Sequence, residues 1–106
     1  MPKYLIQGSY TEQGLKGLLK EGGSKRREAV EHLFKAVGGT LETFYFAFGV
    51  NDIFIIANVP SNVDATALSL IVNASGAVKV NVTVLITLEE VDQAIKKTVT
   101  YRPPGQ

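Results

Sequence analysis

The segment from Phe44 to Val59 (FYFAFGVNDIFIIANV) carries apolar residues on both faces of two strands joined by a turn, and a single isolated sheet cannot bury both. Reading Val50-Asn51 as a two-residue hairpin loop sets Gly49 opposite Asp52 and Phe48 opposite Ile53. With a side-chain period of two, Phe44, Phe46, Phe48, Ile53, Ile55, Ala57 and Val59 share a wholly apolar face suited to packing under helices. Leu41, Thr43, Tyr45, Ala47, Phe54, Ile56 and Asn58 share the other. Leaving a large apolar side chain in water forfeits roughly 1.5 to 3 kcal/mol, so this second face predicts a second partner. Its Tyr, Thr and Asn content predicts a wet interface or a cleft.

The flanking segments supply the remaining elements. Lys3 to Tyr10 alternates as a strand, with Tyr4, Ile6 and Gly8 on one side and Leu5, Gln7 and Ser9 on the other. Thr11 is placed to cap a helix carrying Leu15, Leu18 and Leu19, which stops at Gly22-Gly23. Ser24 predicts a fresh cap, opening a helix with Ala29, Val30, Leu33, Phe34 and Val37 that ends at Gly38-Gly39. After the hairpin, Ser61 with Asp64 three residues on opens a helix through Ala65, Leu68, Ile71 and Val72 as far as Gly76. Ala77 to Ile86 predicts a fourth strand, with Val78, Val80, Val82, Val84 and Ile86 toward the helices and Lys79, Asn81, Thr83, Leu85 and Thr87 away from them. Thr87 and Glu90 have capping-box spacing ahead of a short helix through Val91, Ala94 and Ile95, and residues 101–106 form a Pro-rich tail.

The order strand, helix, strand, strand, helix, strand predicts an α+β, ferredoxin-like βαββαβ fold with an antiparallel sheet in the order 4-1-3-2 and an extra C-terminal helix. Both long helices would cover one sheet face. The open face would collect Gln7, Ser9, Tyr45, Phe54, Ile56, Asn58, Asn81 and Thr83. In the dimeric α+β barrel variant of such a fold, two open faces pack around a shared interior.

The opening KYLIQGSYTEQGLKGLLKEGG, the helix start SKRREAV, the hairpin FYFAFGVNDIFIIANVP and the closing VTVLITLEEVDQAIKK together resemble the GYD domain family of small bacterial proteins, over nearly the whole chain. The resemblance implies a ferredoxin-like fold of the dimeric-barrel type and brings no reaction with it. At the central hairpin, where the family has a Gly-Tyr-Asp type of turn, Gly49-Val50-Asn51-Asp52 keeps the glycine and the aspartate without the tyrosine.

Composition narrows the function classes. The 106 residues, 45% hydrophobic and 20% charged, suffice for one domain with a real core. A net charge of +1 gives no general pull toward nucleic acid or an anionic membrane. Without cysteine there is no disulfide, thiolate nucleophile or cysteine metal site, and the single histidine cannot ligate a metal alone. No window approaches the ~20 apolar residues of a membrane span, and MPKYLIQGSY lacks signal-peptide organisation, so the expected location is the cytoplasm. The expected partners are further copies of the chain and a small molecule, with no cofactor or metal.

Candidate chemistry concentrates in two places. On the open face, Tyr45, Asn58, Asn81 and Thr83 offer a few polar groups among apolar walls, which suits a ligand pocket and equally a dimer interface. At one end of the sheet stands Asp52, beside Asn51. Turn chemistry explains both residues; the functional alternative is a carboxylate within a ligand's reach, at an end that also receives Tyr10, the helix start at Ser24 and Lys79. Lys25-Arg26-Arg27, followed by Glu28 and Glu31, fits a solvated helix face. Helical geometry nevertheless places Arg26 and Arg27 beside the buried stripe, so one of them is expected near Asp52, directly or through an anion. Gly22-Gly23-Ser24-Lys25 lacks P-loop spacing. His32 is predicted to face water, Ser9 has no evident activating base, and Glu89, Glu90 and Asp92 suit a helix start. Three readings remain: a non-catalytic oligomeric binding or interaction module, a cofactor-independent barrel enzyme using Tyr45, Asn58, Asn81 or Asp52, and a sensor of anions or nucleotides using Arg26, Arg27 and Lys79.

Overall fold

The computed structural model describes all 106 residues. Its elements are β1 (Lys3–Tyr10), α1 (Glu12–Glu21), α2 (Gly23–Lys35), β2 (Thr40–Phe46), β3 (Ile53–Asn58), α3 (Asn62–Ala74), β4 (Val78–Leu85) and α4 (Leu88–Ile95). The four strands form one antiparallel sheet in the order β2-β3-β1-β4, the expected order read from the other edge and compatible with a ferredoxin-like arrangement.

Three helix starts follow from their caps. Thr11 accepts from the Gly14 N–H, Ser61 accepts from the Asp64 N–H, and Thr87 with Glu90 closes a capping box. Ser24 does not cap α2. The chain reverses through Gly22 at φ 87°, a conformation that glycine adopts without steric cost. Gly22 both ends α1, donating its N–H to Leu18 at 2.8 Å, and begins α2, accepting from the Arg26 N–H at 3.2 Å.

The hairpin departs from the expected register. Phe46, not Phe48, opposes Ile53, and residues 47–52 form a longer loop in which Phe48 and Val50 are exposed. The loop closes at its base, where the Ala47 N–H donates to the Asp52 carbonyl at 2.8 Å, and is also fastened to β1. The Asp52 N–H donates to the Gly8 carbonyl at 2.7 Å, the Ser9 hydroxyl to the Val50 carbonyl at 2.7 Å, and the Asn51 amide to Gln7 Oε1 at 3.1 Å. A two-residue slip preserves the alternation of faces, so Phe44, Ile53, Ile55 and Ala57 still point toward the helices. A second departure is a bulge between Leu41 and Thr43. It turns Leu41 to the helix side, opposite Ala57, and Glu42 to the open side, where it meets Lys3 Nζ at 2.7 Å.

The core gathers Tyr4 and Ile6 of β1, Ile53, Ile55 and Ala57 of β3, Val30 and Phe34 of α2, and Ala65 and Leu68 of α3. The Tyr4 hydroxyl, inside this core, donates to Asn62 Oδ1. Helix α2 packs on β2 and α3 on β4, the two edges of the sheet, so the central strands lie beneath the space between the helices. Cover stops short of the end of β4. Val78 is buried and Val80 and Val82 are half-buried, but Val84 and Ile86 are exposed, contrary to the expected unbroken inward series. Every residue of α4 is exposed, and the molecule reaches 57 Å along its longest axis.

Candidate functional site

On the open face, register sets the side chains in rows across the sheet. Tyr45, Phe54, Gln7 and Asn81 form one row from β2 to β4; Thr43, Ile56, Leu5 and Thr83 form the next; Thr40, Asn58, Lys3 and Leu85 form the third. Tyr45 and Asn81 therefore share a row but stand on opposite edges, three strand spacings or about 14 Å apart. Thr83 lies one row further along. Asn58 lies in the third row and donates to Thr40 Oγ1 at 3.3 Å. The four polar candidates share a face without converging on one point. Between them lie Phe54, Ile56 and Leu5, and Tyr45 is 69% exposed.

The end of the sheet is arranged differently from the expectation for Asp52. Its carboxylate accepts the Tyr10 backbone N–H at 2.8 Å, which extends the attachment of the loop to β1. Neither arginine forms an ion pair with it. Arg27 Nε pairs instead with Glu31 Oε1 at 3.1 Å, one turn along α2, as i,i+4 spacing favours. Arg26 lies by the side chain of Tyr10, so Tyr10 stands between the two groups expected to meet. His32 is exposed, as is Lys79, opposite Ser9 in the register.

Tyr10 and Arg26 also belong to a cavity. Between the helices and the central strands is a space of about 50 Å³, and of its eighteen lining residues only Arg26 and Ser69 are not hydrophobic. A wider groove of about 510 Å³ runs alongside α1 and shares Tyr10, Arg26, Val30, Leu33, Val72 and Val78 with it. Tyr10 and Arg26 thus stand where groove and cavity join. Burial raises the Tyr10 phenol above its ordinary 10.0; the charge and hydrogen bonding of Arg26 pull it down without prevailing, and Glu21 and Asp52 add small upward contributions. The phenol stays protonated at neutral pH and remains a hydrogen-bond donor.

Tyr10 is the residue that sequence reasoning placed without assigning it a part. It extends the Tyr4, Ile6, Gly8 alternation, which put its side chain on the helix side, but the sequence pattern held no sign of the opening above it. No three of the His, Asp and Glu side chains cluster as metal ligands would, and no helix is long and apolar enough to cross a membrane. The chain matches the GYD domain over residues 4–95 and belongs to that family. No curated protein and no solved structure matches it.

Proposed function

We propose that this member of the GYD domain family is a non-catalytic homo-oligomeric binding module, in which the open sheet faces of two copies pack together in the manner of a dimeric α+β barrel. The observation that carries this reading is the apolar strip on the sheet face away from the helices, where Tyr45 and Phe54 are exposed beside the half-buried Ile56 and Leu5. The polar residues around these side chains, Asn58, Asn81 and Thr83, suit an interface rim. Helix α4 supports the same reading. Leu88, Val91 and Ile95 fall on one side of it at i, i+3 and i+7, and all three are exposed.

The chemistry on display favours binding over catalysis. The Ser9 hydroxyl is engaged with a backbone carbonyl, which leaves it no base to receive its proton. A phenol serving as general base near neutral pH would need its pKa lowered, and Tyr10 is shifted the other way. Light scattering on the purified chain at micromolar concentration is expected to give at least twice the 11.5 kDa of one copy. A stable, soluble monomer would overturn the proposal.

A further inference from the structure

The helix-side cavity lies across the sheet from the proposed interface. Its space is about four times what one water needs, and its walls offer water almost no hydrogen-bond partners. Such a space suits an apolar body. The polar groups are gathered mainly at one place: Arg26, which has no carboxylate within ion-pair distance, and the hydroxyl of Tyr10. A guanidinium presents a planar fork of donors that fits a carboxylate, and the phenol adds another donor. Glu21 and Asp52 already place negative charge around Tyr10, which favours a singly charged headgroup over a dianion such as a phosphate monoester.

We propose that this cavity binds a short-chain monocarboxylate, with an aliphatic body of about four carbons, what a space of some four waters holds, between α2 and α3 and the carboxylate at Arg26 and Tyr10. The apolar body reaches Leu68 and Val72, and the acid group stays at the junction with the groove, where solvent still reaches it. The assignment goes beyond the oligomeric reading and does not rest on it, because the two sites occupy opposite faces of the sheet.

The test is titration of the full chain with pentanoate and with 1-pentanol, followed by calorimetry and by amide chemical shifts. Pentanoate is expected to bind more tightly than pentanol and to shift the amides of Tyr10, Arg26, Val30, Val72 and Val78. Arg26→Gln should weaken pentanoate by about tenfold or more, the loss of one charge-assisted hydrogen bond, and leave pentanol unchanged. Tyr10→Phe keeps the ring and should also weaken pentanoate selectively. Equal affinity for acid and alcohol, indifference to Arg26→Gln, shifts confined to Tyr45, Phe54 and Asn81, or no binding of pentanoate at millimolar concentration would each overturn the assignment. Light scattering on the same samples reports separately on the oligomer.

Discussion

Gly14 and Gly17 lie three residues apart on α1, and replacing each by alanine should move stability in opposite directions. Alanine in a helix interior gains about 1 kcal/mol over glycine. At Gly17 a Cβ would meet nothing within 4 Å, so that gain should appear in full. At Gly14 the Cβ would fall 1.9 Å from the Ala77 carbonyl oxygen and 2.9 Å from Cδ1 of Tyr10. The helix would have to retreat until ordinary contact at 3.4–4 Å returned. Retreat strains the Thr11 N–H bond to Ala77 at 3.0 Å and the Thr11 hydroxyl bond to Gly76 at 2.8 Å, which hold the first turn of α1 in place. Overpacking costs roughly 1 to 3 kcal/mol, and one weakened hydrogen bond adds about 0.5 to 1.5 kcal/mol. After the helical gain the net loss is about 2 kcal/mol. Urea denaturation should show the two midpoints displaced to opposite sides of the parent with the slope unchanged. Thermal midpoints should rise by about 4–8 °C for Gly17→Ala and fall by about twice that for Gly14→Ala. If Gly14→Ala stabilised the protein as Gly17→Ala does, α1 would not be seated on the Ala77 carbonyl, and the groove beside Tyr10 would not have the shape described.

Phe54→Asp sets a charge in the middle of the apolar strip and should abolish the oligomer by light scattering, whereas His32→Ala, at an exposed site, should change stability by no more than about 0.5 kcal/mol; equal effects of the two would contradict the face assignments. Tyr10 should make the protein sensitive to alkali. Its raised pKa means that the native state holds this proton more tightly than the unfolded chain, so its contribution is complete below 10.0 and is lost as pH rises through the raised value. Urea midpoints measured from below to above 10.0 should fall less in Tyr10→Phe than in the parent, and identical profiles would refute the buried phenol.

The strands, their order and the helix-facing sides of β1 and β3 were legible because each is specified by alternation along the chain. The hairpin loop was not, because its register is set by bonds from Val50, Asn51 and Asp52 to β1, forty residues away in sequence, and a local turn rule weighs only the turn itself. The bulge at Glu42 did have a signal. Strict alternation through Leu41, Glu42, Thr43 and Phe44 sends a carboxylate to the same side as Phe44, and burying a lone charge costs far more than one irregular residue in an edge strand. Lys3, across the sheet, then gives Glu42 a partner on the open side.

The candidate site was half legible for a related reason. Topology brought Asp52, Tyr10 and the start of α2 to one end of the sheet, but proximity alone does not decide which groups pair. Tyr10 settles it by using two parts of itself, its backbone N–H for Asp52 and its side chain beside Arg26. The cavity lay beyond the pattern. Periodicity tells which residues of α2 and α3 face inward, and those residues would be the same whether the helices closed on each other or stood apart. The size of the inward side chains carries the remaining information. Val30, Ala65, Val72, Val80 and Val82 all line the space, and each is too short to fill it from its own element. With α2 held on β2 and α3 on β4, these short side chains leave the middle of the sheet incompletely covered, and the opening falls where Arg26 and Tyr10 stand.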